Sequence, residues 1–428
     1  MKDSHDLVQR AAAVFTPALH IYYPIPVVRG EGVSVYSSDG RSWMDFSSGL
    51  ATLPLGHNHS RVVAAAKGQM ETLIHTGGIY FNEATVVAAE KLVSITPTGL
   101  DRLFFSNSGA EAVEGALKVA RFVTGRQGIL SFTRAFHGRT FGALSVTTSS
   151  AAYRRRYHPL LPSVYQVPYP YCFRCPFRQE PDTCRLCCIQ DLEETLKHKI
   201  PAEEVAAIII EPFLGEGGYF PAPPAFLKAL REICDRHGIL LIFDEVQSGM
   251  GRTGRWFAAE IAAVVPDILT VAKGIASGFP LSAVVARKEI MDQWPCGAHG
   301  TTFGGNPVSC AASRATIDVI RDESLLEKAS TKGAMVLDRL RELSVRHRVI
   351  GQVRGYGFMI GIEFVTPDGA PDAASCEKVI NHCLDNGLIL INCGIEHNII
   401  RFIPPLVTTD QELDRALTVF EEGVHRLP

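Results

Sequence analysis

Three apolar runs in the middle of the chain each lead directly into residues that can do chemistry. Continuous runs of Ile, Val and Leu are typical of parallel strands that are buried on both faces. The runs and the residues that follow them are Val205–Ile210 before Glu211, Ile239–Phe243 before Asp244, and Ile268–Val271 before Ala272 and Lys273. Ligands collect outside the carboxyl ends of such strands. We therefore expect two acids and a lysine to meet at one edge of one sheet.

Lys273 is the member of this set that is hardest to explain as a surface residue. It lies between an apolar strand and the turn sequence Gly-Ile-Ala-Ser-Gly-Phe-Pro. Apolar surroundings lower the proton affinity of a lysine amine, and a Schiff-base lysine requires that change. A lysine that forms a Schiff base indicates pyridoxal phosphate as the cofactor.

Pyridoxal phosphate needs further partners, and the sequence offers a candidate for each. Its pyridine nitrogen needs a carboxylate, which Asp244 can supply from 29 residues before the lysine. Its phosphate needs backbone N–H groups at a helix N-terminus, and Ser108, Gly109 and Ala110 open a predicted helix. Its ring needs an aromatic neighbour, for which Phe136 is the candidate because it follows the predicted strand Gly128–Phe132.

The elements that must position these residues alternate between strands and helices. A predicted helix over 110–123 ends at Gly125, and a second, Pro224–His237, ends at Gly238 between two of the apolar strands. This strand–helix–strand pattern predicts an α/β protein with a right-handed crossover in an open, mostly parallel sheet.

We expect a large domain over residues 60–320 and a smaller α/β domain built from both termini. Residues 1–59 form the N-terminal segment of the small domain, with irregular structure and a turn at Asp39-Gly40 between short strands, and residues 321–428 form its C-terminal part. The large domain contains a cysteine-rich excursion over 168–190.

Six sequence motifs resemble those of the class III pyridoxal-phosphate aminotransferases of the ornithine, acetylornithine and 4-aminobutyrate type. They are SNSGAEAVEGALKVAR, FHGRTFGALSVT, EPFLGEGG, DEVQSGMGRTG, AKGI and TTFGGNP. The resemblance covers essentially the whole chain in the family's order. It implies a fold-type-I transferase that uses a small-molecule amino donor and a 2-oxo acid. It also implies a homodimer, in some members a dimer of dimers, with active sites at the subunit interface.

The resemblance also implies a role for each residue of the cofactor site. Lys273 would form the imine and carry protons, and Asp244 would bond the pyridine nitrogen. The other implied cofactor contacts are Gln247 at the phenolic oxygen, Val246 and Phe136 on opposite ring faces, Ser108, Gly109 and Ala110 at the phosphate, and Thr302 reaching in from the partner subunit. Ala110 stands where some relatives have Ser, so a hydroxyl bond to the phosphate is missing.

The chain most resembles the 4-aminobutyrate branch, which implies four substrate contacts. Arg401 would grip the α-carboxylate of glutamate, and Glu216 would neutralise Arg401 when an ω-amine without that carboxylate is bound. A resident counter-ion fits this site because an unpaired buried guanidinium is costly. Arg139 would take the distal carboxylate, and Leu50 would lie at the pocket mouth.

Composition excludes several other classes of protein. Lys and Arg total 42 against 45 Asp and Glu, which gives no basic surface for nucleic acid or an anionic membrane. No apolar run approaches the ~20 residues that a membrane helix needs. The N-terminus lacks the apolar core of a signal peptide. We therefore expect a cytoplasmic enzyme with mostly reduced cysteines.

Two other enzyme classes stay open at this stage. An amino-acid racemase on the same fold would use the same lysine and aspartate, because both reactions begin with removal of a proton from the cofactor-bound substrate. A nicotinamide-dependent oxidoreductase is more distant. Its G-x-G-x-x-G motif is present over 249–254, but no acid stands ~20 residues further on to bind the ribose.

Five of the 11 cysteines lie between residues 172 and 188. The spacing of Cys172, Cys175, Cys184, Cys187 and Cys188 is that of a structural zinc site, while disulfides or free thiols are the alternatives. We assign no metal to the catalytic site.

Overall fold

The computed structural model describes residues 4–427. Its α-helices are α1 (Ser4–Val14), α2 (Ser48–Ala51), α3 (Ser60–Thr72), α4 (Glu83–Val93), α5 (Gly109–Thr124), α6 (Phe141–Val146), α7 (Cys187–His198), α8 (Pro224–His237), α9 (Ala259–Ala262), α10 (Lys288–Met291), α11 (Pro307–Asp322), α12 (Leu325–Arg346), α13 (Ala373–Asp385) and α14 (Asp410–His425). In this described part of the chain, no helix combines the length and the apolar character needed to cross a membrane.

The β-strands form one large sheet and three smaller ones. They are β1 (Val27–Glu31), β2 (Ser34–Ser37), β3 (Ser42–Asp45), β4 (Arg102–Ser106), β5 (Gly128–Phe132), β6 (Val164–Val167), β7 (Val205–Ile210), β8 (Phe213–Leu214), β9 (Phe220–Pro221), β10 (Leu240–Asp244), β11 (Ile268–Val271), β12 (Ser282–Ala286), β13 (Ile350–Tyr356), β14 (Met359–Phe364), β15 (Leu388–Ile389), β16 (Ile391–Cys393) and β17 (Ile399–Phe402).

The large sheet has the strand order β4-β12-β11-β10-β7-β5-β6. In the order β11-β10-β7-β5-β6, each strand is parallel to the next. Strand β12 is antiparallel to both β11 and β4. Every residue of β5, β7, β11 and β12 is buried, which explains their continuous apolar sequences. The predicted α/β class with a mostly parallel central sheet is confirmed.

Helix α5, which opens toward the candidate site, has clear start and stop signals. Ser108 caps its N-terminus, and the Glu111 side chain bonds back to the backbone of Ser108 in a capping box. Its C-terminus ends at Gly125, whose φ of 68° is left-handed and favours glycine. The helix therefore begins at the residues that were predicted to offer backbone N–H groups to the phosphate of the cofactor.

The segments from the two termini pair with each other in the smaller sheets. Strand β15 lies parallel to β3, so the C-terminal part of the chain completes the sheet β1-β2-β3-β15. A second sheet, β13-β14-β17-β16, is antiparallel and carries Arg401 on β17. The division into domains at residues 59 and 320 stays a prediction.

The structure differs from the sequence expectations in three places. Helix α1 occupies part of the stretch expected to be irregular, and strand β13 was not predicted. The run 388–391 is continuously apolar in the sequence, as a single strand would be, yet it is divided between two sheets: β15 pairs with β3, whereas β16 pairs with β17. The chain passes from one sheet to the other at Leu390, so a single apolar run serves both.

Candidate active site

The strand ends meet as expected, because β7, β10 and β11 are consecutive neighbours in the large sheet. A cavity of about 270 Å³ lies at this edge. Its lining includes eight residues predicted for the site, together with His137, Gly138 and Glu211. The eight are Gly109, Ala110, Phe136, Arg139, Asp244, Val246, Gln247 and Lys273.

Lys273 begins a short 3-10 helix directly after β11 and has a positive φ of 42°. Burial, followed by the positive charge of Arg401, lowers the pKa of Lys273 to about 8, while Glu211 and Asp244 act in the opposite direction. The amine therefore reaches its neutral, nucleophilic form much closer to neutral pH than an exposed lysine does.

Asp244 is held in place by three hydrogen bonds. Its Oδ2 lies 2.6 Å from Nδ1 of His137. Its Oδ1 accepts bonds from the hydroxyl of Thr270 at 3.0 Å and from the N–H of Val246 at 3.1 Å. His137 was not identified as a site residue from the sequence. The signal that could have found it is that β5, which precedes it, ends at the same sheet edge as β10.

The N-terminus of α5 fits closely against the cavity. A Cβ on Gly109 would lie 2.8 Å from Cγ1 of Val246, so only glycine allows this approach. Gly138 is packed equally closely, because a Cβ added to it would lie 2.7 Å from the Cβ of Ala110. The hydroxyl of Ser108 accepts a bond from the N–H of Glu111, and Ser108 does not line the cavity. The first N–H groups of a helix lack acceptors within the helix and so suit a phosphate.

Gln247 and Phe136 are both held by neighbouring groups. The side-chain oxygen of Gln247 accepts a bond from the hydroxyl of Tyr219 at 2.6 Å, which leaves its NH₂ group as the free donor end. The N–H of Phe136 donates to Glu211 at 2.9 Å. Burial raises the pKa of Glu211 to about 7. Tyr219 directly follows the motif EPFLGEGG, but no sequence pattern pairs it with Gln247.

Glu216 and Arg401 form an ion pair, with 2.8 Å between Oε2 and Nη2. The Nε of Arg401 donates to the carbonyl of Asn392, so the guanidinium is anchored on both sides. Burial acts to lower the pKa of Arg401, but the charge of Glu216 and the smaller contributions of Cys393 and Tyr219 together outweigh it, so the pKa is raised. The side chain of Arg401 is 5% exposed, against 24% for Glu216, so the acid is the more accessible partner.

Leu50 and Thr302 do not line this cavity. Leu50 is 44% exposed and has a φ of 64°. Thr302 is exposed in the segment between β12 and α11. Their roles at the pocket mouth and in a partner's site stay predictions.

The cysteine-rich segment surrounds a separate cavity of about 320 Å³, lined by all five of its cysteines. All 11 cysteines are free thiols. Within residues 4–427, no three His, Cys, Asp or Glu side chains are arranged to hold a metal ion. The structure therefore assembles neither the zinc site nor the disulfides that the spacing left open.

The glycine motif over 249–254 does not form a dinucleotide site. Its residues lie in turns, and the next helix, α9, begins only at Ala259. A Cβ on Gly251 would lie 2.7 Å from the side chain of Leu406, so this glycine serves packing. The oxidoreductase alternative lacks the helix N-terminus that a pyrophosphate requires.

The residues present fit pyridoxal phosphate on three observations from this cavity. A lysine amine with a lowered pKa and a firmly held carboxylate line the same space. A helix N-terminus opens on it, at a glycine that leaves no room for a side chain. A flat aromatic side chain, Phe136, contributes to the same lining.

Comparisons with known proteins agree with this geometry. The family model described as "Aminotransferase class-III" matches residues 17–424. A probable 4-aminobutyrate aminotransferase of Bacillus subtilis is 40% identical, covering 93% of this chain and 92% of that protein. An alanine/serine racemase of Pyrococcus horikoshii is 39% identical, covering 98% and 90%. The PLP-bound structure of an amine transaminase from an uncultivated Pseudomonas species superposes with a TM-score of 0.90 at 31% identity, covering 97% and 98%.

Proposed function

Because this chain belongs to the class III aminotransferases, which are pyridoxal-phosphate enzymes of fold type I, we propose that it transfers the amino group of 4-aminobutyrate, or of a related ω-amine, to 2-oxoglutarate. The observation that carries the choice of substrate is the ion pair between Glu216 and Arg401. Arg401 would bind the α-carboxylate of glutamate in one half-reaction. In the other half-reaction the ω-amine donor has no α-carboxylate, so another anion must neutralise the guanidinium.

Seven of the residues that line the cavity have a task in this proposal. The bound cofactor supplies an electron sink for the charge left on the substrate carbon after deprotonation. Lys273 would attach the cofactor through its amine and, as a free amine, would carry the proton on its Nζ. Asp244, supported by His137, would bond the pyridine nitrogen. Gly109 and Ala110 would offer N–H groups to the phosphate, and Gln247 would donate its NH₂ to the phenolic oxygen.

The substrate contacts divide between two arginines. Arg139 lines the cavity and takes the carboxylate distant from the reacting amine. Arg401 takes the α-carboxylate of glutamate after Glu216 moves aside. Arginine suits both tasks because its planar guanidinium binds a carboxylate through two parallel hydrogen bonds.

The second candidate is an amino-acid racemase, favoured by the similarity to the alanine/serine racemase of Pyrococcus horikoshii. Incubation with one L-amino acid and no 2-oxo acid separates the two. A transaminase releases at most one equivalent of 2-oxo acid and no D-enantiomer, which chiral chromatography measures. Accumulation of the D-enantiomer over many turnovers would establish the racemase instead.

The Glu216→Gln variant tests the choice of substrate. The amide leaves Arg401 without a formal counter-ion, so the half-reaction with 4-aminobutyrate should slow by about 5- to 150-fold, from roughly 1–3 kcal/mol of uncompensated charge. The half-reaction with L-glutamate supplies its own carboxylate and should be largely unchanged. Arg401→Ala is the matched comparison and should harm glutamate most. Equal slowing of both half-reactions by Glu216→Gln would make this acid a structural one.

The proposal also includes a homodimer in which Thr302 completes the partner's site. The cytoplasmic location stays a prediction from the sequence.

A further inference from the structure

The Glu216 carboxylate has a different partner on each oxygen. Its Oε2 contacts Arg401 at 2.8 Å, and its Oε1 accepts a hydrogen bond from the hydroxyl of Tyr153 at 3.3 Å. Tyr153 lies 63 residues before Glu216 in the sequence, on the short 3-10 helix Ala151–Arg154. It belongs to none of the six motifs, so the second contact was not foreseen.

The backbone at Glu216 is fixed, so a change of partner must come from its side chain. The carbonyl of Glu216 accepts a bond from the N–H of Gly394 at 2.9 Å. At the next residue, a Cβ on Gly217 would lie 2.0 Å from the carbonyl oxygen of Arg134, which shows how closely this turn is packed. The position of the carboxylate therefore depends on the two groups that contact its oxygens.

Tyr153 contacts the distal arginine as well as the acid. The guanidinium carbon of Arg139 lies 4.4 Å from the centre of the Tyr153 ring, and the ring of Phe136 lies edge-on at 5.8 Å. Burial, and then the negative charge of Glu216, raise the pKa of Tyr153. The hydroxyl therefore stays protonated and available as a donor.

We propose that Tyr153 is a specificity-determining positioning residue: its hydroxyl holds Glu216 on Arg401, and thereby favours donors that lack an α-carboxylate. The inference rests on the proposed function and deepens it. Without the hydroxyl, Glu216 leaves Arg401 more readily. An incoming α-carboxylate then binds more easily, whereas an ω-amine finds the arginine less well neutralised.

The first test compares the two half-reactions of the holoenzyme and its Tyr153→Phe variant. The phenylalanine ring keeps the packing on Arg139 and Phe136 and removes only the hydroxyl. From the usual net strength of a protein hydrogen bond, the half-reaction with 4-aminobutyrate should slow by about 3- to 10-fold. The half-reaction with L-glutamate should not slow, and at low glutamate concentration it should speed up by about threefold, because its α-carboxylate displaces Glu216 more easily. Cofactor absorbance after rapid mixing measures both.

Tyr157→Phe is the matched control, because Tyr157 is exposed and its ring contacts Phe141. It should leave both half-reactions unchanged. Equal slowing of the two half-reactions by Tyr153→Phe would overturn the proposal, because a merely structural tyrosine affects both alike.

The second test does not depend on turnover. Glutarate, a dicarboxylate without an amino group, is bound to the holoenzyme, and its dissociation constant is measured by calorimetry. Tyr153→Phe should tighten glutarate binding by about threefold or more in the wild-type background, because Glu216 gives way more easily. In the Glu216→Ala background the same substitution should change the dissociation constant by less than about 1.5-fold, because the coupled partner is gone. Equal changes in the two backgrounds would refute the link between Tyr153 and Glu216.

The two tests separate failure of the inference from failure of the proposed function. If the wild-type holoenzyme converts no ω-amine, the proposed substrate class is wrong, and the glutarate measurements alone decide the role of Tyr153.

Discussion

At the scale of single residues, the site depends on side chains whose charge is set by their surroundings. Lys273 is the clearest case, because burial and Arg401 both disfavour its protonated form. Asp244 is instead fixed by geometry, since two donors and His137 hold its carboxylate in place. The lysine is thereby prepared to react, and the carboxylate of Asp244 is held in one position.

The lowered pKa of Lys273 predicts how cofactor uptake depends on pH. Attachment requires the neutral amine, so the rate of pyridoxal phosphate addition to the apoprotein should rise as the pH passes about 8 and level off above it. An ordinary lysine would keep gaining rate up to its pKa of 10.5. Stopped-flow absorbance measures this profile. A rate that rises steadily to that higher pH would contradict the burial of the amine, and Lys273→Ala should show no covalent uptake.

Residues that act through strand ends could be predicted from the sequence, and residues that act across long loops could not. Asp244 and Lys273 follow apolar strands, so a rule about sheet edges finds them. Tyr153, Tyr219 and His137 reach the site through contacts 63, 28 and 107 residues apart in the sequence. Tyr153 belongs to none of the six motifs, so its neighbourhood carries no comparable signal. His137 follows β5 and Tyr219 follows the motif EPFLGEGG, but a histidine or tyrosine in a turn has many ordinary roles.

At the scale of elements, a buried ionic network joins the small antiparallel sheet to the turn that carries Glu216. Arg354 on β13 contacts Glu363 on β14 at 2.8 Å and donates to the carbonyls of Gly218 and Tyr219. Glu363 also accepts a bond from the hydroxyl of Tyr171, which lies in the cysteine-rich segment. Strand β13 was not predicted from the sequence, because its polar residues interrupt the apolar pattern. In the structure its charged residue Arg354 is buried because it pairs with Glu363.

Glu363→Gln should destabilise the protein strongly, because it leaves the Arg354 guanidinium buried without its counter-ion. Breaking one side of a buried ion pair typically lowers the free energy of unfolding by about 3–5 kcal/mol. Asp338→Asn is the matched control, since it removes an exposed pair with Arg341 and should change stability by less than about 1 kcal/mol. Urea denaturation measures both. A similarly small loss of stability in both variants would show that the ionic network is not needed to hold the turn that carries Glu216.

At the scale of the whole molecule, one surface is unusually apolar. Ile79, Tyr80 and Phe81 are 72–100% exposed, and Phe303 is 61% exposed. The segment 75–81 and the segment 302–303 are adjacent, because Gly77 lies close to the carbonyl of Thr302 and the ring of His75 contacts the ring of Phe303. An exposed apolar patch of this kind marks an interaction surface. It supports the proposed homodimer, with Thr302 beside the patch.

Mixed dimers test whether Thr302 serves the partner's site. Lys273→Ala subunits should be inactive, and Thr302→Ala subunits should bind cofactor about fivefold more weakly, for one lost hydrogen bond. If Thr302 acts across the interface, a heterodimer of the two variants contains one site with both changes and one intact site. Purified heterodimers should then regain about half of the wild-type activity at limiting cofactor. Failure to regain it would place Thr302 in its own subunit's site or outside any site.

The transfer of an amino group in two separate halves is the central claim, and one stoichiometric measurement tests it most directly. Holoenzyme is mixed with 4-aminobutyrate alone, the small molecules are removed, and 2-oxoglutarate is then added. We predict that the visible absorbance of the cofactor disappears with release of one equivalent of the aldehyde, succinic semialdehyde. The absorbance should then return with release of one equivalent of L-glutamate. An enzyme whose absorbance is unchanged by 4-aminobutyrate, or that yields no glutamate in the second step, would contradict the account.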